Sequence, residues 1–260
     1  MKILVLGGRG FLGSYVTKAL AHHTVITGDM RSGGKKHRQV DITNPNDVRK
    51  AVTGVDLVIN LVGLSPLKQG PFQQVHVNGV LNILATKKPL IQISALGADS
   101  KSEIEYLKTK GVAEELVQNS GIAHAIIRPS VLFGTGAELF SQLDRIPIFP
   151  RLPTKVQPVY AGDVAKVIAS LVQKPNGIHE LAGPTEMTMY EFAAQYRKIL
   201  PVPFVIFKPF FWIACTLQVA RLSKNQYKSL FLNNTAAQHP AMITTYSDWI
   251  KKERKKIIER

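Results

Sequence analysis

The 260-residue chain has a single cysteine, Cys215. An internal disulfide is therefore impossible, and multi-thiolate zinc sites are excluded with it. The expected compartment is reducing, which reads as cytoplasmic. Acidic residues are scarce, 18 Asp+Glu against 33 Lys+Arg, for a formal net charge of +15. Such an excess suits a phosphate-bearing ligand, an anionic membrane surface or nucleic acid. No nucleic-acid-reading motif accompanies it, so nucleic acid is not an expected partner. The seven histidines show no HxH or HxxxH spacing, and no metal site is expected. Long apolar runs are missing too. The richest, residues 201–222, is interrupted by Pro201, Pro203, Lys208, Pro209 and Gln218, which argues against a bilayer span. Its aromatics Phe204, Phe207, Phe210, Phe211 and Trp212 read as a lobe core or lid, and Cys215 as buried filler. Membrane-interface contact, helped by the basic tail 251–260, is the alternative. The opening MKILVLGG is too short for a secretory apolar region and has no cleavage site.

What is present is an alternation of short strands and helices. Residues 2–6 form a compact β-branched and leucine run ending at Gly7 and Gly8. Phe11, Leu12, Tyr15, Val16, Ala19 and Leu20 then follow helical spacing. Further strands are expected over 24–27, 39–41, 55–62, 90–94 and 123–127. Helices are expected from Asn44-Pro45, over 75–85, and from a Ser102/Glu105 capping box to about 118. This order predicts an α/β fold: a doubly wound parallel sheet with helices on both faces. Residues 1–150 form the expected core, with about 156–183 returning to it. Asp163 is expected to cap a helix, and a second capping box, Thr188 and Glu191, to open another. Residues 184–260 are expected to make a small, mostly helical C-terminal lobe and basic tail.

Gly7, Gly10 and Gly13 form a Gly-x-x-Gly-x-x-Gly turn between the first strand and the first helix. The first glycine permits the tight turn, the second lets a pyrophosphate approach the backbone, and the third lets helix and strand close up. The helix amides would then hold the phosphates. A dinucleotide is the expected ligand, with Arg9, Phe11 and Leu12 in the turn's contact set. Asp29 ends the second strand, where an acid would bond the adenosine ribose and favour NAD. Arg9, Arg31, Lys35 and Lys36 could instead pair with the 2′-phosphate of NADP. The reading leans to NAD. Asp41 could accept from the adenine amino group with Ile42 against the ring, or could serve as a loop acid before the next helix. Leu61, Val62 and Gly63 end the fourth strand beside the expected cofactor.

The segments GGRGFLG, VDIT, DLVINLVG, ISALGAD, YLKTK, RPSVLFG and YAGDVAKVI together resemble the extended and atypical short-chain dehydrogenase/reductases of the NAD-dependent epimerase/dehydratase type. They run in family order over residues 1 to about 185. ISALGAD followed by YLKTKGVAEE is most similar to the branch containing the dinucleotide-binding accessory subunit of respiratory complex I. The resemblance implies a Rossmann core with a C-terminal substrate lobe. It implies catalytic roles for Ser94, Tyr106 and Lys110, with Pro129 and Val131 bordering the nicotinamide. Independently, Tyr106 and Lys110 stand at i and i+4 of one expected helix, and an ammonium near a phenol lowers its pKa. Two departures stand out: the Ser94-to-Tyr106 spacing is twelve residues, and His76 occupies the place where many relatives have Asn. The implied activity is hydride transfer between the nicotinamide and a carbonyl or alcohol of a small molecule. Nucleotide-sugar epimerase or dehydratase chemistry is one alternative. The other is a non-catalytic nucleotide-binding subunit or assembly factor of a respiratory complex, peripheral at the inner membrane.

Overall fold

Ile3, Leu4, Val5 and Leu6 are buried at consecutive positions of strand β1 (Lys2–Leu6), as happens only in a sheet covered on both faces. The structure, a computed structural model, describes residues 1–65, 70–144, 147–209, 228 and 231–258. After β1 come α1 (Phe11–Ala19), β2 (Thr24–Asp29), β3 (His37–Gln39), α2 (Pro45–Ala51) and β4 (Leu57–Asn60). A π-helical turn, Gln73–Asn78, runs into α3 (Gly79–Leu84). Then follow β5 (Leu90–Ile93), α4 (Glu105–Gln118) and β6 (His124–Pro129). Next are β7 (Leu132–Phe133), α5 (Glu138–Leu143), β8 (Ile148–Pro150), β9 (Lys155–Val156), β10 (Val159–Tyr160) and α6 (Ala161–Ser170). The last are β11 (Ile178–Leu181), β12 (Met187–Thr188), α7 (Met189–Tyr196), β13 (Leu200–Val202) and the helix Tyr246–Ile258.

The chain divides into two units by contacts. One is Met1–Pro129 with Val164–His179; the other is Ser130–Asp163 with Glu180–Arg260. The sequence places the change-over near 150, but it falls after β6. The reason is that the next segments pair forward along the chain, β7 with β10 and β8 with β13.

The first unit is built on a seven-stranded sheet in the order β11-β6-β5-β4-β1-β2-β3. Adjacent strands from β6 through β3 are parallel. The order reverses between β1 and β4, and the crevice at the carboxyl ends of those strands is where such sheets bind ligands. Every residue of β4 and β5 is buried, including Asn60 and Gln92. Those two satisfy each other: Asn60 Nδ2 donates to Gln92 Oε1 at 2.9 Å, and Gln92 Nε2 donates to the Ile93 carbonyl at 2.8 Å. Leu4, Leu6, Val58, Ile83, Leu90 and Val117 belong to the core between sheet and helices.

Local signals act where the sequence puts them, with two exceptions. Asn44 caps α2, accepting from the amides of Asn46 and Asp47, with Pro45 at the first helical position. Thr188 and Glu191 make both bonds of the second capping box. Ser102 does not cap α4. The helix starts at Glu105 behind Ile104, and Ser102 Oγ instead accepts from the Ile104 amide within the preceding turn. Asp163 lies inside the first turn of α6, and its Oδ2 accepts from the Thr244 amide. In the second unit Phe133, Phe140, Phe192, Tyr246 and Trp249 form an aromatic cluster, with the Phe192 and Tyr246 centroids 4.2 Å apart. Phe204 packs on Phe231. Phe210, Phe211, Trp212 and Cys215 lie outside the described residues.

Candidate functional site

The glycine turn has the geometry its sequence implies. Gly7 has φ +75°, and its amide donates to the Gly28 carbonyl at 2.7 Å. A Cβ on Gly13 would lie 2.2 Å from the Gly7 carbonyl oxygen, so only glycine lets α1 close on the turn. At Gly7 a Cβ would stand 3.2 Å from the Leu61 carbonyl carbon, which brings the chain after β1 against the chain after β4. Helix α1 follows the extended N-cap residue Gly10, with no side chain capping its amides and no acid in its first turn. Those amides and the positive end of the helix dipole suit a phosphate group. Phe11 is half-buried and packs edge-on to Tyr15, while Leu12 belongs to the core.

At the end of β2 the carboxylate of Asp29 is already engaged. Arg9 Nε donates to Oδ2 at 2.7 Å and Nη2 donates to Oδ1 at 2.5 Å. The Arg31 amide donates to Oδ1 at 2.8 Å, and the Arg31 side-chain Nε lies 3.6 Å from it. The Arg9 hydrogen bonds, above all, hold the Asp29 carboxyl well below the usual carboxylate range. Arg9 Nη1 also donates to the Ser32 carbonyl, so one guanidinium clamps the whole loop after β2. Asp41 Oδ1 accepts from both the amide and hydroxyl of Thr43 in the loop before α2. Ile42 is 4 % exposed, belongs to the core and fills the space over Gly79. Arg38, close in sequence to Lys35 and Lys36, donates to the Ala51 and Thr53 carbonyls at the end of α2.

The other end of the site is set by α4. Thr109, Lys110, Ala113, Glu114 and Val117 form its buried face. Lys110 is 4 % exposed; its Nζ donates to the Ile93 carbonyl at 3.2 Å, and a Cβ on Gly63 would stand 3.2 Å from that Nζ. Burial lowers its pKa to about 8, against the pull of Glu114 one turn on, which favours the charged form. Glu114 is in turn clamped by Arg128 of β6, with Nη2 donating to Oε2 at 2.6 Å. Tyr106, half-buried between Phe72 and His76, has its phenol pushed up to about 12 by burial. Ser94 follows β5 directly. Its Oγ is buried and has no hydrogen-bond partner among the described residues. Buried hydroxyls are rarely left so, and this one fits a ligand oxygen. The short Ser94-to-Tyr106 spacing is closed by Gly111, where a Cβ would stand 2.2 Å from the Ser100 amide nitrogen.

Leu61 and Val62 are half-buried and Gly63 is exposed at the end of β4. Pro129 is buried at the end of β6 and accepts from the Leu96 amide. Val131 belongs to the second unit, where its carbonyl accepts from Val159. Ser130 Oγ donates to Asn234. The residue passed over by sequence reasoning is Thr109, whose hydroxyl lies 3.0 Å from His76 Nδ1. Nothing in YLKTK marks it, because its partner is 33 residues away. Among the described residues there is no group of three or more His, Cys, Asp or Glu able to hold a metal. No helix among them is long and apolar enough to cross a membrane.

With this geometry in place, comparison with known proteins is informative. The NAD dependent epimerase/dehydratase family matches residues 3–181. The mitochondrial NADH dehydrogenase (ubiquinone) 1 alpha subcomplex subunit 9 of Mus musculus is 28 % identical over 241 residues, covering 78 % of this chain and 63 % of that protein. The chain thus spans less than two thirds of that relative's length. An NAD(P)H azoreductase from Xenophilus azovorans is 26 % identical, covering 84 % of this chain and 79 % of that one. Among solved structures, the ADP-L-glycero-D-manno-heptose-6-epimerase of Helicobacter pylori aligns with a TM-score of 0.70 at 16 % identity, covering 100 % and 96 % of the two chains. That likeness concerns the fold.

Proposed function

The chain belongs to the NAD-dependent epimerase/dehydratase family, and on that premise we propose that it is an NAD(P)-dependent oxidoreductase acting on a small carbonyl or alcohol. The observation that carries this reading is the trio at the carboxyl end of β5. A buried lysine whose Nζ donates to the Ile93 carbonyl, a phenol one helical turn before it and, just after β5, a buried serine hydroxyl with no partner among the described residues support it. The bound nicotinamide would supply or accept the hydride. Ser94 Oγ would hold the substrate oxygen. Tyr106 would donate the proton to it in the reductive direction and take it back in the oxidative one. Lys110 would hold the nicotinamide ribose and stabilise the tyrosinate, bringing a phenol otherwise near 12 into working range. Gly7, Gly10, Gly13 and the amides of α1 would carry the pyrophosphate. The sequence leans to NAD, but Asp29 is held by Arg9. An arginine pair with its carboxylate already engaged supports a 2′-phosphate at this end, and hence NADP.

A second reading is a nucleotide held without turnover in a larger respiratory assembly at the membrane. The locked, neutral His76, which leaves no side chain to relay protons past Tyr106 at its position, favours it.

The test is titration of the purified protein with NADH and with NADPH, followed by nicotinamide fluorescence, with any co-purified nucleotide identified by mass spectrometry. A carbonyl panel is then assayed. Exchangeable binding, with turnover that Tyr106→Phe abolishes while sparing nucleotide binding, is expected. Turnover unchanged in Tyr106→Phe overturns the assignment. Tight, non-exchanging nucleotide without turnover supports the second reading.

A further inference from the structure

His76 is on the π-helical turn Gln73–Asn78, 2 % exposed, at the position where many relatives have Asn. We infer that His76 is a positioning residue: its imidazole, protonated on Nδ1 alone, ties the loop after β4 to α4 and so sets where Tyr106 and Lys110 stand. This deepens the proposed function, since it rests on the roles given there to those two residues.

The hydrogen-bond directions leave one consistent arrangement. The Leu64 amide can only donate, and its nitrogen is 3.0 Å from His76 Nε2, so Nε2 presents its lone pair. The proton of a neutral imidazole is then on Nδ1, 3.0 Å from Thr109 Oγ1. Thr109 accepts it and passes its own hydroxyl proton back to the carbonyl of Glu105 at 2.9 Å or Tyr106 at 3.1 Å. Every donor in this chain has an acceptor. The opposite tautomer, or the imidazolium, would set an N–H against the Leu64 N–H. The groups facing the ring act in the same direction. Lys110 and Tyr106, both on α4, are the titratable neighbours, and burial with the Lys110 charge lowers the His76 pKa to about 3.

The geometry explains why a strut is needed here. The His76 and Tyr106 rings meet edge-on with centroids 5.7 Å apart, and Phe72 closes the third side at 5.4 Å from His76. A Cβ on Gly63 would stand 3.2 Å from Lys110 Nζ and 3.6 Å from His76 Nε2, so that glycine leaves the room both side chains occupy. The π-turn, whose hydrogen bonds reach one residue further than those of an α-helix, is frequent at functional sites.

The experiment is 15N NMR of selectively labelled His76 in the full chain, followed by variants that split the two bonds. The expected spectrum shows a proton on Nδ1 and none on Nε2, unchanged from pH 8 to pH 5. Titration near the ordinary histidine value of about 6.5, or a proton on Nε2, overturns the inference. His76→Gln keeps an acceptor near the Leu64 amide but loses Thr109, whereas His76→Asn keeps a donor for Thr109. His76→Gln and Thr109→Val are each expected to shift the Tyr106 titration and weaken NADPH binding about fivefold, roughly the worth of one hydrogen bond. The double variant should cost no more than either alone, and His76→Asn should restore most of the effect. Additive losses, or a fall in melting temperature with the Tyr106 titration unmoved, would reduce His76 to an ordinary core residue. The spectra need neither substrate nor turnover, so they stand or fall apart from the hydride-transfer reading.

Discussion

The guanidinium of Arg9 grips both oxygens of the Asp29 carboxylate, at 2.7 and 2.5 Å, across the glycine turn and the end of β2. The pair engages both carboxylate oxygens, and a second cation, the Arg31 guanidinium, lies 3.6 Å from Oδ1. Arg9→Gln is therefore expected to weaken NADPH binding about tenfold or more, the scale of a lost charge-assisted hydrogen bond, and NADH binding far less. Fluorescence titration of both nucleotides checks this. A larger loss for NADH would return Asp29 to the ribose role.

Replacing Gly111 with Ala sets two effects against each other. In a free helix the change stabilises by about 1 kcal/mol. Here the new Cβ would stand 2.2 Å from the Ser100 nitrogen and 2.3 Å from the Asp99 carbonyl carbon, both backbone atoms. The loop between Ser94 and Tyr106 must then move. Forced overpacking costs about 1–3 kcal/mol, so net destabilisation is expected, together with weaker nucleotide binding. Thermal melting in parallel with titration reads both.

Glu114 is 2 % exposed as a residue and holds Arg128 through Nε and Nη2. Glu114→Gln weakens the charge-assisted bonds to the half-buried Arg128 guanidinium, and destabilisation of about 1–3 kcal/mol is expected. It also removes the charge that supports the Lys110 proton, so the lysine should titrate below its value of about 8. Denaturant unfolding and 15N or 13C titration of Lys110 measure the two effects separately.

Stability should depend on pH through His76 with a definite sign. Its folded pKa, about 3, lies below the unfolded value of about 6.5, so between them the unfolded chain binds more protons. Stability is then fully present above about pH 6.5 and lost progressively as pH falls toward 3. Lys110 acts in the same direction at higher pH: its charged form is penalised on folding, and that penalty lifts as pH rises from about 8 toward 10.5. Melting temperatures from pH 5 to 7 should climb in the wild-type chain and flatten in His76→Gln. An equal slope in both would assign the effect elsewhere.

Much of the nucleotide-binding unit is legible in the sequence. The glycine spacing, the Asn44 cap and the buried runs of β1, β4 and β5 each act over a few neighbouring residues. Elsewhere one side chain has several partners within reach, and only the folded backbone selects among them. Ser102 was available as a cap, yet its oxygen serves the turn before Ile104. Ile42 packs over Gly79, 37 residues on, and Asp41 Oδ1 accepts from Thr43. The candidate trio Ser94, Tyr106 and Lys110 follows from family pattern, but the burial that sets their chemistry does not.

The sequence by itself determined the strand–turn–helix order and the three glycines that only a close phosphate or a close helix requires, because backbone sterics and hydrophobic periodicity are local. Tertiary structure alone decided which charge Asp29 keeps, which nitrogen of His76 bears its proton, and how far Lys110 is withdrawn from water. Each of these depends on partners 12 to 33 residues distant along the chain, and on the loss of solvent that comes with packing them together.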